Sequence, residues 1–147
     1  MKIEFKIDSS INETKVVIYA NEMNEEVNNI MDKLENNNNS ESIMGLLDDT
    51  NYILDFKDIE SFFTEDSKVF ARKDGKKYRI KKRIYELEDL LANTTFVRIS
   101  NSEIVNFNMV DSLDIQGRIT IILKFKSDEI TYVSRRYISK IKKYLNI

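Results

Sequence analysis

Apolar and charged positions alternate from the start of the chain: Ile3, Phe5 and Ile7 are interleaved with Lys2, Glu4, Lys6 and Asp8. A period of two puts one face of an extended segment toward a core and predicts a half-buried strand. Lys15-Val16-Val17-Ile18-Tyr19-Ala20 is β-branched and aromatic, which predicts a second strand. The period then lengthens. Val27, Ile30, Met31 and Leu34 stand at i, i+3, i+4 and i+7, the stripe of an amphipathic helix. Asn21 is placed to cap that helix, which should run to about Glu35. Asn36 to Asn39, followed by Ser40, is a polar low-complexity stretch that reads as a linker. The pattern therefore predicts a ββα module over 1–39 and a second domain over 40–147.

The second domain is strand-rich. Segments 52–56, 59–64, 68–72, 76–80, 96–100, 103–107, 109–115, 118–125 and 129–133 all carry strand patterns. Alternation is cleanest at Ile119, Ile121, Leu123 and Phe125. Asp74-Gly75, Gln116-Gly117 and Ser127-Asp128 supply turns. Ile84, Leu87, Leu90 and Leu91 predict a short helix ending near Asn93. Ile138, Ile141 and Leu145 predict a closing helix, with Ser134 as its cap. The predicted fold class is mostly β, α+β overall.

Composition removes several chemistries. With no cysteine, disulfides and thiolate metal sites are impossible. With no histidine, the commonest general base and the Ser–His and Cys–His pairs are gone. No glycine-rich phosphate loop is present, and the acidic run Asp48-Asp49 with Asp55, Asp58 and Glu60 lacks EF-hand spacing. No enzymatic activity, metal, cofactor or small-molecule substrate is expected. No apolar run is long enough for a bilayer and the start lacks a signal-peptide core, which predicts a cytoplasmic protein.

The net charge of −2 conceals an asymmetry. Residues 1–66 carry 5 basic and 16 acidic side chains, and residues 67–147 carry 18 and 9. An acidic front and a basic back suit different partners, and the back is a candidate polyanion binder.

Three features could carry that binding. Arg72, Lys73, Lys76, Lys77, Arg79, Lys81, Lys82 and Arg83 straddle a hairpin. Such charges neutralise phosphates, but lysines also protect a solvated hairpin from edge pairing. Ser100-Asn101-Ser102 is a polar break between apolar runs. An Asn there can pair with adenine through donor and acceptor together, although Asn and Ser also simply make turns. Ser134-Arg135-Arg136 puts two cations at a helix N-terminus, against the dipole. Facing phosphate or guanine would offset that cost, and the cost is also small enough for a tolerated surface charge.

Taken in order, these stretches resemble the LytTR DNA-binding domain family. The resemblance rests on Ile59-Glu60-Ser61-Phe62-Phe63, Lys68-Val69-Phe70-Ala71, Tyr85 to Leu91, Phe96 to Ser102, Ile104-Val105-Asn106 and Val133-Ser134-Arg135-Arg136-Tyr137, across roughly Thr50 to Ile147. It implies an elongated stack of small antiparallel sheets whose loops enter major grooves of double-stranded DNA. It implies base or near-base contacts from Lys68, Asn101 and Arg136, with Ser67, Arg98, Ser102, Arg135, Lys76, Lys77, Lys81 and Lys82 contacting phosphate or supporting loops. The family's familiar histidine before Val69 is missing, and Lys68 stands in that loop instead. A receiver domain does not fit into Met1 to Glu35, so the chain resembles the stand-alone branch. That implies self-association on paired DNA sites and control by a protein partner, an inhibitory membrane protein being the precedent. A protein-interaction module without DNA binding competes with this reading. So does RNA binding, which exposed sheet aromatics would favour; Phe62, Phe63 and Phe96 are expected to be buried.

Overall fold

With three glycines and no proline in the chain, hairpins must turn on other residues. Asp48 and Asp49, Asp66 and Ser67, and Asp74 with Gly75 all take positive φ, the left-handed conformation that two-residue hairpin loops need. Asp, with a short side chain able to bond its own backbone, visits that region at modest cost. The start of the acidic run, Asp48-Asp49, is thus the turn between the first two strands.

The computed structural model describes residues 1–35 and 42–147. The expected linker Asn36–Asn39 and Ser40 lies outside the described residues. Contacts divide the chain into two compact units, Met1–Asn39 and Ser40–Ile147.

In the first unit, helix α1 spans Glu25–Glu35. Its cap is Asn24, not Asn21: the Asn24 Oδ1 accepts from the Val27 amide at 3.0 Å. Val27 is buried, while Met31 and Leu34 remain exposed. Val16, Ile18 and Ala20 line an open apolar groove with Val27, Met31 and Leu34. The two expected strands are not formed, so the ββα expectation is corrected to a single helix preceded by chain without sheet pairing. The physical reason is that a strand needs a partner edge as well as an apolar face. The pattern of Ile3, Phe5 and Ile7 supplies the face alone.

The second unit contains β1 (Ser42–Leu47), β2 (Thr50–Asp55), β3 (Ser61–Glu65), β4 (Lys68–Lys73), β5 (Lys76–Ile80), α2 (Ile84–Leu90), β6 (Phe96–Ser100), β7 (Glu103–Asn106), β8 (Val110–Gln116), β9 (Thr120–Phe125), β10 (Ile130–Tyr132) and α3 (Ile138–Leu145). All described strand pairs are antiparallel, in a seven-stranded sheet ordered β2-β1-β5-β4-β3-β7-β6 and a three-stranded sheet ordered β10-β9-β8. The mostly β, antiparallel expectation holds. The strand β1 was not foreseen, because Ser42 to Leu47 shows no clean alternation. Its Gly45 is so crowded by side chains of the two neighbouring strands that a Cβ there would meet Leu54 Cδ1 at 2.6 Å and Tyr78 Cβ at 2.8 Å. That crowding requires glycine and blurs the pattern.

Two cores divide the unit. Leu54, Ile59, Phe62, Ala71, Tyr78, Ile80, Ile84, Leu87, Leu91, Phe96 and Ile104 pack the large sheet against α2. Val97, Ile99, Val105, Ile121, Leu123, Phe125, Val133, Ile138 and Ile141 pack the small sheet and α3 against β6 and β7. The β6–β7 hairpin is therefore buried on both faces, with Phe96 and Ile104 on one and Val97, Ile99 and Val105 on the other. Asn106 locks its base. It is 1 % exposed, donates to the Ile59 carbonyl at 3.0 Å, and accepts from Thr95 Oγ1 at 2.8 Å. Phe62 and Phe96 are buried as expected. Phe63 is only half-buried, because it lies on the sheet face opposite Phe62. There it stacks on Phe70 at 5.8 Å and is covered by the Arg72 guanidinium at 4.6 Å.

Candidate nucleic-acid interface

Strand register decides which of the expected residues share one end of the large sheet. Glu65 pairs with Lys68, so the β3–β4 turn, Asp66-Ser67, lies at the end where β3 finishes. β7 runs antiparallel to β3 and begins beside it, Phe63 opposite Glu103. The β6–β7 turn, Asn101-Ser102, is therefore at the same end, and the Thr64 amide donates to the Ser102 carbonyl at 2.8 Å. Val69 pairs with Ile80, so Lys81 and Lys82 leave β5 at that end too. Ser67, Lys68, Lys81, Lys82, Asn101 and Ser102 are all exposed.

The third element arrives from the small sheet. After β10 the chain enters a 3-10 turn, Arg135–Tyr137, that leads into α3. β6 carries a bulge between Arg98 and Ser100 that leaves Ile99 without a partner on β7. The Ile99 carbonyl accepts from the Ser134 amide at 2.9 Å. The Tyr137 hydroxyl donates to Asn101 Oδ1 at 3.1 Å. These two bonds fix the Arg135-Arg136 turn beside the Asn101 loop, and both arginines are exposed. Ser134 holds the turn through its backbone; its side chain makes no cap bond, which corrects the expected side-chain cap.

Arg98 is different in kind. Its side chain is 18 % exposed and clamps the loop. Nε donates to the Ser100 carbonyl at 3.0 Å and Nη2 to the Asn101 carbonyl at 2.8 Å. Nη1 lies 3.5 Å from Glu88 on α2. Ser100 Oγ also accepts from the Ser102 amide at 3.2 Å. Arg98 thus belongs to loop support, and its fork satisfies two carbonyls that a lysine could not bridge in the same geometry.

The charges of the basic hairpin do not all leave the strands at one end. Lys76 and Lys77 sit at the far end of β5, by the Asp74-Gly75 turn, with Lys77 opposite Arg72. Lys77 lies over the Phe70 ring and pairs with Glu65 at 2.7 Å. The register separates this pair from Lys81 and Lys82, a division that a linear run of charges does not reveal.

Two residues that matter to the geometry were missed as site residues. Tyr137 holds Asn101, and its only advance signal was its place after the two arginines. Glu103, the first residue of β7, accepts from Thr131 Oγ1 of β10 at 2.6 Å and links the two sheets. Burial holds its carboxyl above the usual range, against the lowering effects of the Thr131 bond and nearby Arg72. Among the described residues no cluster could hold a metal ion, and no helix is long and apolar enough to cross a membrane.

Residues 49–146 match the family model described as the LytTr DNA-binding domain. The chain is 33% identical over 147 residues to a Staphylococcus aureus (strain COL) protein named an uncharacterized HTH-type transcriptional regulator, covering 100% of this chain and 99% of that one. A protein of the same description in strain MRSA252 is 32% identical over the same span. The fold is similar to a solved LytTr DNA-binding domain of a methyl-accepting/DNA response regulator from Bacillus cereus. The TM-score is 0.70 at 23% identity, over 74% of this chain and 99% of that one. Among the described residues of this chain no two α-helices follow one another directly; five strands separate α1 from α2, and five more separate α2 from α3.

Proposed function

This chain belongs to the LytTr DNA-binding domain family, and from that premise we propose that it regulates transcription by binding double-stranded DNA at specific sequences. The observation that carries the reading is the tie between Tyr137 and Asn101, which fixes an exposed amide and two exposed arginines as one unit. An Asn amide matches adenine N6 and N7, and an Arg fork matches guanine O6 and N7, both in the major groove. Lys68, at the same sheet end, reaches the neighbouring base or phosphate. Ser67, Lys81, Lys82 and Arg135 contribute phosphate contacts that release counterions. Arg98 and Ser102 hold the loop in register. The reading places the protein in the cytoplasm, self-associating on paired sites, with control by a protein partner such as an inhibitory membrane protein.

The half-covered state of Phe63 weighs against RNA binding by base stacking, because Arg72 and Phe70 already occupy its faces. The test is a salt titration on random and selected duplexes. Binding should weaken steeply with salt on both, with an added salt-insensitive preference for the selected site. Binding that ignores both salt and sequence would leave the interaction-module reading.

A further inference from the structure

The mechanism above makes no use of the segment Lys2–Asp8, which carries large apolar side chains in open solvent. Ile3 is 68% exposed, Phe5 91% and Ile7 98%. They occupy alternate positions, so in extended chain they share one face. The other face carries Lys2, Glu4, Lys6 and Asp8, and the 3.0 Å ion pair between Lys2 and Glu4 confirms that i and i+2 meet there. The segment is anchored at one end, where the amino terminus lies 3.8 Å from Glu26 of α1. At the other end Asp8 closes a turn by accepting from the Ser10 amide and hydroxyl at 2.9 and 2.7 Å. Between these ends it pairs with no strand.

We propose that Lys2–Asp8 pairs antiparallel with the same segment of a second copy of this chain, about a two-fold axis through Phe5. Charge complementarity favours a second copy, and among antiparallel registers the one centred on Phe5 makes the most opposite-charge pairs; a parallel pairing staggered by two residues is also complementary in sign but runs head to tail and lacks two-fold symmetry. Antiparallel pairing centred on Phe5 sets Lys2 opposite Asp8, Ile3 opposite Ile7, Glu4 opposite Lys6 and Phe5 opposite Phe5. Every charged residue meets its opposite, and every apolar one meets an apolar one. Sliding by two residues one way sets Lys2 against Lys6 and Glu4 against Glu4. Sliding the other way sets Glu4 against Asp8 and Lys6 against Lys6. A one-residue slip places apolar side chains against charged ones. In-register parallel pairing stacks like on like throughout. The pairing is isologous, the same segment on both copies, so a single contact yields a two-fold dimer. It also joins the apolar faces of both copies into one continuous patch.

This inference makes specific the self-association proposed above and is independent of DNA binding, so its test is run without DNA. Sedimentation of the full chain should show a dimer. Glu4→Lys sets Lys against Lys at both 4–6 positions of the dimer, and Lys6→Glu sets Glu against Glu. Each should weaken association by at least about tenfold. These are exposed positions, so circular dichroism should stay unchanged. Mixing the two single variants restores opposite charges at both positions, and so does the double variant E4K/K6E. Both should recover wild-type association. Three results overturn the proposal: a monomeric wild type, single variants that associate as wild type does, or a loss that neither the mixture nor the double variant restores. The second would show that copies meet elsewhere, and the third that Lys2–Asp8 pairs in a different register or with a different segment such as Lys15–Ala20.

Discussion

Asn101, Arg136 and Arg98 divide the work of the proposed interface between reading and holding. Arg136→Ala should cost about 1–3 kcal/mol on the preferred duplex and much less on random DNA. Equal loss on both would reduce Arg136 to a phosphate contact. Arg98 is held against two carbonyls and Glu88, so its role is positioning. Arg98→Lys should lower preference for the selected site while leaving the salt slope intact, since no phosphate contact is lost. A flatter slope would move Arg98 into direct contact. Glu103 gives a separate, pH-dependent test. Burial raises its carboxyl pKa from the ordinary 4.5. The folded state thus binds the proton more tightly than the unfolded one. The stability this contributes is full below the ordinary value and is lost as pH rises through the raised one. Glu103→Gln keeps an acceptor for Thr131 and removes the buried charge. Denaturation should show the variant gaining on wild type at neutral pH, with the advantage vanishing in acid. A variant equally affected at both would assign the raised pKa no role in stability. The Asn101 loop and the two arginines stood out in the chain as chemistry out of place: a polar break between strands, and cations at a helix start. Glu103 did not, because an isolated Glu at a strand start looks like surface until the second sheet covers it.

Hairpins, more than helices, position this site. Strand limits in the second unit were readable to within two residues for most strands, since alternation survives wherever one face is buried. The β6–β7 hairpin is the informative exception to simple alternation, because both of its faces are buried and a bulge interrupts it. Two-sided burial and the Asn106 bonds at its base hold the hairpin that carries the Asn101 loop, and Arg98 ties the loop itself. Asn106→Ala should destabilise the fold by about 1–3 kcal/mol, since the Ile59 carbonyl and Thr95 hydroxyl lose their partner inside the protein. Chemical denaturation checks this, and a change within error would mean that the buried amide is dispensable. The basic hairpin shows what a linear sequence hides. Its charges look like one cluster, and register sends Lys81 and Lys82 to the Asn101 end and the backbone of Lys76 and Lys77 to the other, although the Lys77 ammonium reaches back to Glu65. Neutralising Lys81 and Lys82 should flatten the salt dependence by roughly one unit per lost contact. Neutralising Lys76 should leave it nearly unchanged. The reverse order would turn the interface to the opposite end of the sheet.

Across the chain, charge and structure divide at different places: the units part at Asn39 and Ser40, whereas the acidic stretch runs on to Asp66, so the basic half that the proposed DNA-facing role needs begins inside the second unit, at the β3–β4 turn. The first unit was the least readable part. Its alternation predicts half-buried strands, yet no strand forms there and Ile3, Phe5 and Ile7 stay exposed, because periodicity carries no information about whether a partner edge is at hand. Removing residues 1–39 should leave single-site DNA affinity largely intact and abolish cooperativity on paired sites. Full cooperativity in the shortened protein would remove the first unit from assembly. The reading as a whole rests on specific recognition of DNA by three turns at one end of a sheet, and selection from random duplexes tests that directly. Bound duplexes should converge on a motif, repeated for paired copies. Its affinity should exceed that for random DNA by roughly a thousandfold or more, and Asn101→Ala and Arg136→Ala should each relax a different base position. A pool that stays random after repeated rounds, or a motif unmoved by either variant, would contradict it.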